Sequence, residues 1–154
     1  MTPADARPIL LYDDTCGMCA ASVQFVLRHE RGRRTLEFAS LTGELGTAVR
    51  ATHLELHDVD SVVWWEPRRQ HDESTIFVRS AAVLHVLRYL GGAWRVLAAL
   101  GSIVPRPLLD MAYDFVARHR HSFTRGGAAC ILPTADQRSR FRDFERETAP
   151  VLHD

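Results

Sequence analysis

Cys16 and Cys19 stand three residues apart in the stretch LYDDTCGMCAAS, directly after a short apolar run and directly before a segment with helical periodicity. Residues three apart share one face of a helix, so the two sulfurs can reach disulfide distance without breaking the turn. Cys16 falls at the amino end of the predicted helix, where backbone N–H groups lack intrahelical partners and the dipole favours negative charge; this is the place for an attacking thiolate. Cys19 continues an apolar stripe with Val23 and Leu27, which makes it less exposed, slower to ionise and suited to resolving a mixed disulfide. The expected cycle is attack by Cys16 on a substrate disulfide, a mixed disulfide, and release when Cys19 attacks Cys16.

Two other readings share this spacing. Zinc knuckles use C-x-x-C, but usually with a second pair at recognisable spacing, whereas here only Cys130 and scattered histidines remain. None of the eight histidines falls in an H-x-x-x-H or H-E-x-x-H pattern. A zinc-binding module drawing on Cys130 and a histidine is therefore the rival from another class, and an inert buried pair is the third possibility. Cys130 itself reads first as an ordinary small buried residue.

The elements that must position the pair are legible around it. PILLYDD is an apolar run closed by two acids, the pattern of a buried strand, and CGMCAASVQFVLRHERG comes next as a helix that Gly32 can end in a left-handed conformation. Asp13 and Asp14 can cap that helix, and Asp13 can also bond backbone N–H groups of the turn or accept a proton from Cys19. TLEFAS reads as a second strand, and Glu44 to Arg50 as a helix. SVVWWE and STIFVR form a hairpin across a long polar loop, with Trp64 and Trp65 on opposite faces and both assigned to core.

Further along, Ser80 caps a predicted helix whose stripe is Val83, Val86, Leu87 and Leu90, and Gly91-Gly92 ends it. A short helix spans Trp94 to Leu100. Pro107 opens another, with Leu108, Met111, Ala112 and Phe115 as its apolar stripe. Thr134 and Gln137 form a capping-box pattern before ADQRSRFRDFERE, a segment read as a peripheral tail helix. The expected division is a domain over 1–133 and a tail helix over 134–154.

A helix between the first two strands implies a parallel crossover, and the hairpin supplies antiparallel neighbours. The predicted fold is α/β, a thioredoxin-like mixed sheet with helices on both faces plus additional C-terminal helices.

Composition narrows the function. With 154 residues and a 46% hydrophobic share, the chain supports one core. Its 19 basic and 19 acidic residues cancel, so no global field argues for nucleic acid or an anionic membrane surface. Every basic residue is arginine, which removes Schiff-base and P-loop lysine chemistry. The clusters RHERGRR and ARHRH read as solvated helix ends. No export signal and no uninterrupted span of about 20 apolar residues is visible, so the expectation is a cytoplasmic protein without a transmembrane segment.

Asp13, Cys16 and Cys19 reproduce the D-x-x-C-x-x-C signature, and the chain resembles the DCC family of thiol-disulfide oxidoreductases, which is thioredoxin-like. FASL, DSVVWWE, VRSAAVLHVLRYLGG, VPRPLLDMAYDFVARHRH and ACILP look like that family's segments in the same order. The resemblance implies a small redox enzyme with a dithiol site, no organic cofactor and no metal, acting on a thiol or disulfide partner such as a protein. Thioredoxins place a cis-proline before the strand facing the active site; here Asp60-Ser61 precedes VVWW, and Ser61 is expected to take over part of that role. The helices from Trp94 to Phe115 exceed a minimal thioredoxin fold and offer a surface for a partner protein, which is the reading in which the fold serves interaction rather than turnover.

Overall fold

The computed structural model describes residues 7–30, 32, 35–59, 61–67, 75–123 and 133–143, the side chains of 120–123 excepted. The strands are β1 (Ile9–Tyr12), β2 (Glu37–Ser40), β3 (Val63–Glu66) and β4 (Thr75–Val78). The helices are α1 (Gly17–His29), α2 (Glu44–Thr52), α3 (Arg79–Leu90), α4 (Gly92–Ile103) and α5 (Arg106–Phe123). The sheet runs β2-β1-β3-β4, with β1 parallel to β2 and antiparallel to β3, and β3 antiparallel to β4. This is the mixed, thioredoxin-like sheet that the order of elements predicts.

The period-two alternation of the strands assigns each side chain to a layer. Leu10 lies opposite Phe38 and Trp64 in register, and these three pack against Val23 and Val26 of α1 and Ala82 and Leu90 of α3. Ile9, Leu11, Ala39 and Val63 point the other way and meet Val49 of α2 together with Leu41 and Leu56. Helices thus cover both faces, which is why ILLY can be an unbroken apolar run. Trp64 and Trp65 divide between the two layers as expected, Trp64 buried and Trp65 partly so.

Close approach fixes some positions. Gly46 of α2 sits against the Ser40–Leu41 backbone, where an added Cβ would run into the Ser40 carbonyl oxygen and Leu41. Gly91, with φ of 69°, ends α3 in the left-handed region; α1, by contrast with expectation, ends at Glu30 in an extended conformation, and Gly32, with φ of 79°, lies two residues beyond that cap.

Four further expectations change. Ser80 is not a cap: Val78 occupies that position, and the Ser80 hydroxyl lies in the first turn and donates to Asp110 of α5. Of the predicted α3 stripe Leu90 is buried and Val86 packs partly on the core, but the buried side also takes in Ser80, Ala81, Ala82 and Leu84 while Val83 is exposed, because the helix is enclosed by the sheet, α4 and α5 together and small residues allow that approach. Leu84 fits over Gly101 of α4, where a Cβ would stand 2.9 Å from its Cδ2.

In α5 the stripe Leu108, Met111, Ala112 and Phe115 faces outward, with Phe115 59% exposed. The side turned to the body carries Leu109, Asp110, Tyr113, Asp114 and Ala117 instead, since Asp110 and Asp114 are anchored to the start of α3.

The expected tail helix also differs over its described part. Thr134 N–H does donate to Gln137 Oε1 (3.1 Å), one arm of the capping box, but the chain then forms only a turn and a single 3-10 turn, Arg138–Arg140. Phe141 bridges to Phe38 and stacks on its ring, with centroids 5.0 Å apart, and Arg142 N–H donates to the Phe38 carbonyl. The segment is part of the core and shields the outer edge of β2. Phe144 and the rest of the predicted helix lie outside the described residues.

Candidate active site

The chain leaves β1 at Tyr12 and turns through Asp13, Asp14 and Thr15 into α1. Cys16 N–H donates to the Asp13 carbonyl (3.2 Å), closing the turn. Asp13 Oδ1 accepts from both Thr15 N–H (2.9 Å) and the Thr15 hydroxyl (2.7 Å), the local bonding for which aspartate is suited. Neither acid caps the helix: the N-cap is Cys16 itself, and Asp14 takes a bond from the Thr42 hydroxyl, 3.1 Å from either carboxylate oxygen.

Cys16 has extended backbone angles (φ −100°, ψ 112°), and its carbonyl accepts the first intrahelical bond from Ala20 N–H at 3.1 Å. Its side chain is half-buried, whereas Cys19 is only 4% exposed. Both are free thiols. Burial pushes the Cys19 thiol up to about 12; the hydrogen bond it shares with Cys16 and the charge of Cys16 push the same way. A backbone bond from Asp13 opposes this, but the Asp13 carboxylate adds to it.

The pair opens onto a groove of about 530 Å³ that the sequence did not announce. Met18, Ser22 and Phe25 of α1 form one wall, Ser61 and Val62 enter from the approach to β3, and α3, α4 and α5 contribute Val83, Leu84, Leu87, Leu97, Leu109, Tyr113 and Val116. The lining is mostly aliphatic. Ser61, singled out from the sequence, is buried and shares this groove with both cysteines, and Ser80 joins it. The residue before Ser80, Arg79, holds φ of 53°, a left-handed conformation that costs a non-glycine residue energy and turns the chain sharply from β4 into α3.

The groove wall escapes sequence reasoning because its residues look like ordinary core stripes. The available signal is excess: α3, α4 and α5 each carry more apolar positions than one buried face needs.

The remaining candidates lie apart. Trp64 and Trp65 do not line the groove. His85 stacks on Phe77, with centroids 3.7 Å apart, and burial lowers its pKa, helped by Arg88 and Arg106 and partly offset by Glu66. Cys130 falls outside the described residues. Among the described residues no three His, Cys, Asp or Glu side chains converge where they could hold a metal ion.

Known proteins are similar to this chain in sequence. The uncharacterized protein YuxK of Bacillus subtilis is 31% identical over 134 residues, covering 86% of this chain and 92% of its own. A DCC family protein of Arabidopsis thaliana, described as chloroplastic, is 30% identical over 129 residues, covering 83% of this chain and 71% of its own. No solved structure matches the chain. No single helix among the described residues is long and apolar enough to cross a membrane. Residues 10–126, which include both cysteines and the groove walls, match the family described as DCC1-like thiol-disulfide oxidoreductase, and the chain belongs to that family.

Proposed function

We propose that the protein exchanges a Cys16–Cys19 dithiol with a disulfide substrate through a mixed disulfide, Cys16 attacking and Cys19 resolving. The observation that carries this is the asymmetry of the pair: Cys16 is reachable at the start of α1, while Cys19 is buried and holds its proton against Cys16. In the first step the Cys16 thiolate bonds to one substrate sulfur and the other leaves as a thiolate. In the second, Cys19 loses its proton and attacks Cys16 Sγ, the internal disulfide forms and the second substrate thiolate leaves. Two electrons pass to the substrate, and the reverse sequence oxidises it.

Ser61 lines the same groove as the pair, which supports a role in positioning the substrate beside Cys16. Asp13 acts through the turn, holding Thr15 and with it the approach to Cys16. The zinc-module reading would have to recruit Cys130, since the described residues offer no third ligand beside the pair.

Cys19→Ser tests the assignment. With a protein disulfide as substrate the variant accumulates a covalent adduct through Cys16, seen as a mass increase that dithiothreitol removes, whereas Cys16→Ser forms none. Equal adduct formation by both variants, or none by either, would contradict these roles.

A further inference from the structure

The charge of the chain is not evenly spread. From residue 74 to residue 135 there are seven arginines and only two carboxylates, Asp110 and Asp114, a net of +5 in a chain whose total is zero. Asp110 accepts from Ser80, and Asp114, whose side chain is 40% exposed, lies 3.9 Å from the Arg79 guanidinium.

The opposite side of α4 and α5 is apolar and exposed. It presents Val96, Leu100, Ile103, Leu108, Met111 and Phe115, of which Ile103 at the apex is 79% exposed. α5 turns by 116° from α4, and the exposed Ile103 and Leu108 flank the turn. Arg95 and Arg106 are exposed on the same two helices, and α4 contains no acid. The face is continuous with the groove, because Val83, Leu97 and Val116 line the groove and are themselves exposed.

We propose that the outward face of α4 and α5 docks on the surface of an anionic lipid bilayer, with the groove of Cys16 and Cys19 opening toward it. Aliphatic and aromatic side chains enter the headgroup region while the guanidinium groups of Arg95 and Arg106 remain with the phosphates; Asp110 is bonded to Ser80 and the charge of Asp114 is offset by Arg79 beside it. The aliphatic ridge flanked by the exposed Arg95 and Arg106 has the amphipathic character of a helix pair seated in an anionic lipid interface. Neither helix alone is long and apolar enough to span, although the bent pair together has that length and composition; with a bend of 116° between them, the pair is proposed to lie along the interface. This docking is independent of the redox roles of the cysteines.

The test is sedimentation of the full chain with phosphatidylcholine vesicles, with and without phosphatidylglycerol. Binding is expected to the anionic vesicles and to weaken when salt rises from about 0.1 M to about 1 M, which shortens the screening length from about 10 Å to about 3 Å. The double variant Ile103→Asp with Leu108→Asp, outside the groove and exposed, keeps the wild-type melting temperature and loses at least about tenfold in vesicle affinity. Arg95→Gln with Arg106→Gln narrows the preference for phosphatidylglycerol. No binding to anionic vesicles overturns the proposal, as does equal binding by the Ile103/Leu108 variant. A dimer that this variant dissociates, without vesicle binding, would assign the face to a second copy of the chain instead.

Discussion

The Cys19 thiol lies one turn along α1 from Cys16, buried beneath it and hydrogen-bonded to it. The two sulfurs are chemically the same and sit in unlike surroundings in the fold. Cys16 stands at the end of the helix and the mouth of a groove, and Cys19 stands in an apolar layer that disfavours its charged form.

That difference sets the pH dependence of the resolving step. With its thiol pushed up to about 12, Cys19 is almost wholly protonated at pH 7. Burial, the largest cause of the shift, persists in the mixed disulfide, where the contribution of a charged Cys16 is gone. Release of substrate from the Cys16 adduct should therefore accelerate by about tenfold per pH unit between roughly pH 7 and 9. Stopped-flow or quenched-flow decay of a preformed adduct measures this, and a rate independent of pH over that range would mean that Cys19 is not the group losing a proton.

Asp13 is predicted to act through the turn. Asp13→Ala removes the acceptor for Thr15 N–H and the Thr15 hydroxyl and should cost about 1 kcal/mol in stability, with Asp13→Asn recovering part of it because its amide oxygen also accepts. If Asp13 instead took the proton of Cys19, Asp13→Asn would abolish resolution while leaving denaturation unchanged.

Ser61→Ala should leave the potential of the cysteine pair where it is and raise KM for a peptide disulfide by up to about tenfold, the worth of one hydrogen bond. A lower kcat with unchanged KM would point to a part in the chemistry rather than in positioning.

A fourth prediction concerns what holds the frame. Arg140, 7% exposed, donates to both carboxylate oxygens of Glu30 at the end of α1 and also to the Leu36 carbonyl, at 2.9 Å from Nε and 2.8 Å from Nη2. Tyr89 of α3 donates to the same carboxylate (3.2 Å) and accepts from Leu36 N–H (3.1 Å). Glu30→Ala strands a buried guanidinium and should destabilise the fold by about 3–5 kcal/mol, read by urea denaturation. Glu30→Gln, which keeps acceptor oxygen but not charge, should cost less.

The strand-turn-helix around the cysteines was legible because three local signals agree there: an apolar run that only a doubly covered strand can bury, a turn, and a stripe with helical period containing Cys19. The two tryptophans also sorted correctly, since adjacent strand residues must face opposite ways. What was not legible depended on neighbours. Leu108, Met111 and Phe115 have the spacing of a core stripe, but periodicity does not say whether the apolar side or the anchored Asp110 and Asp114 side meets the body. Ser80 has the type of a cap, yet its partner is 30 residues away on α5. Arg140 and Phe141 looked peripheral because charged residues surround them, and only the pairing with Glu30 and Phe38 draws them inside.

The central claim is that Cys16 and Cys19 form one redox pair, and alkylation with mass analysis after equilibration in a series of glutathione buffers tests it most directly. The predicted result is a single reversible two-electron transition in which both thiols are lost together, with Cys16 alkylated faster than Cys19 in the reduced protein. A midpoint nearer about −270 mV would assign a reductase and one nearer about −120 mV an oxidant. No transition, with both thiols protected until a chelator is added, would contradict the account and make the pair a metal site.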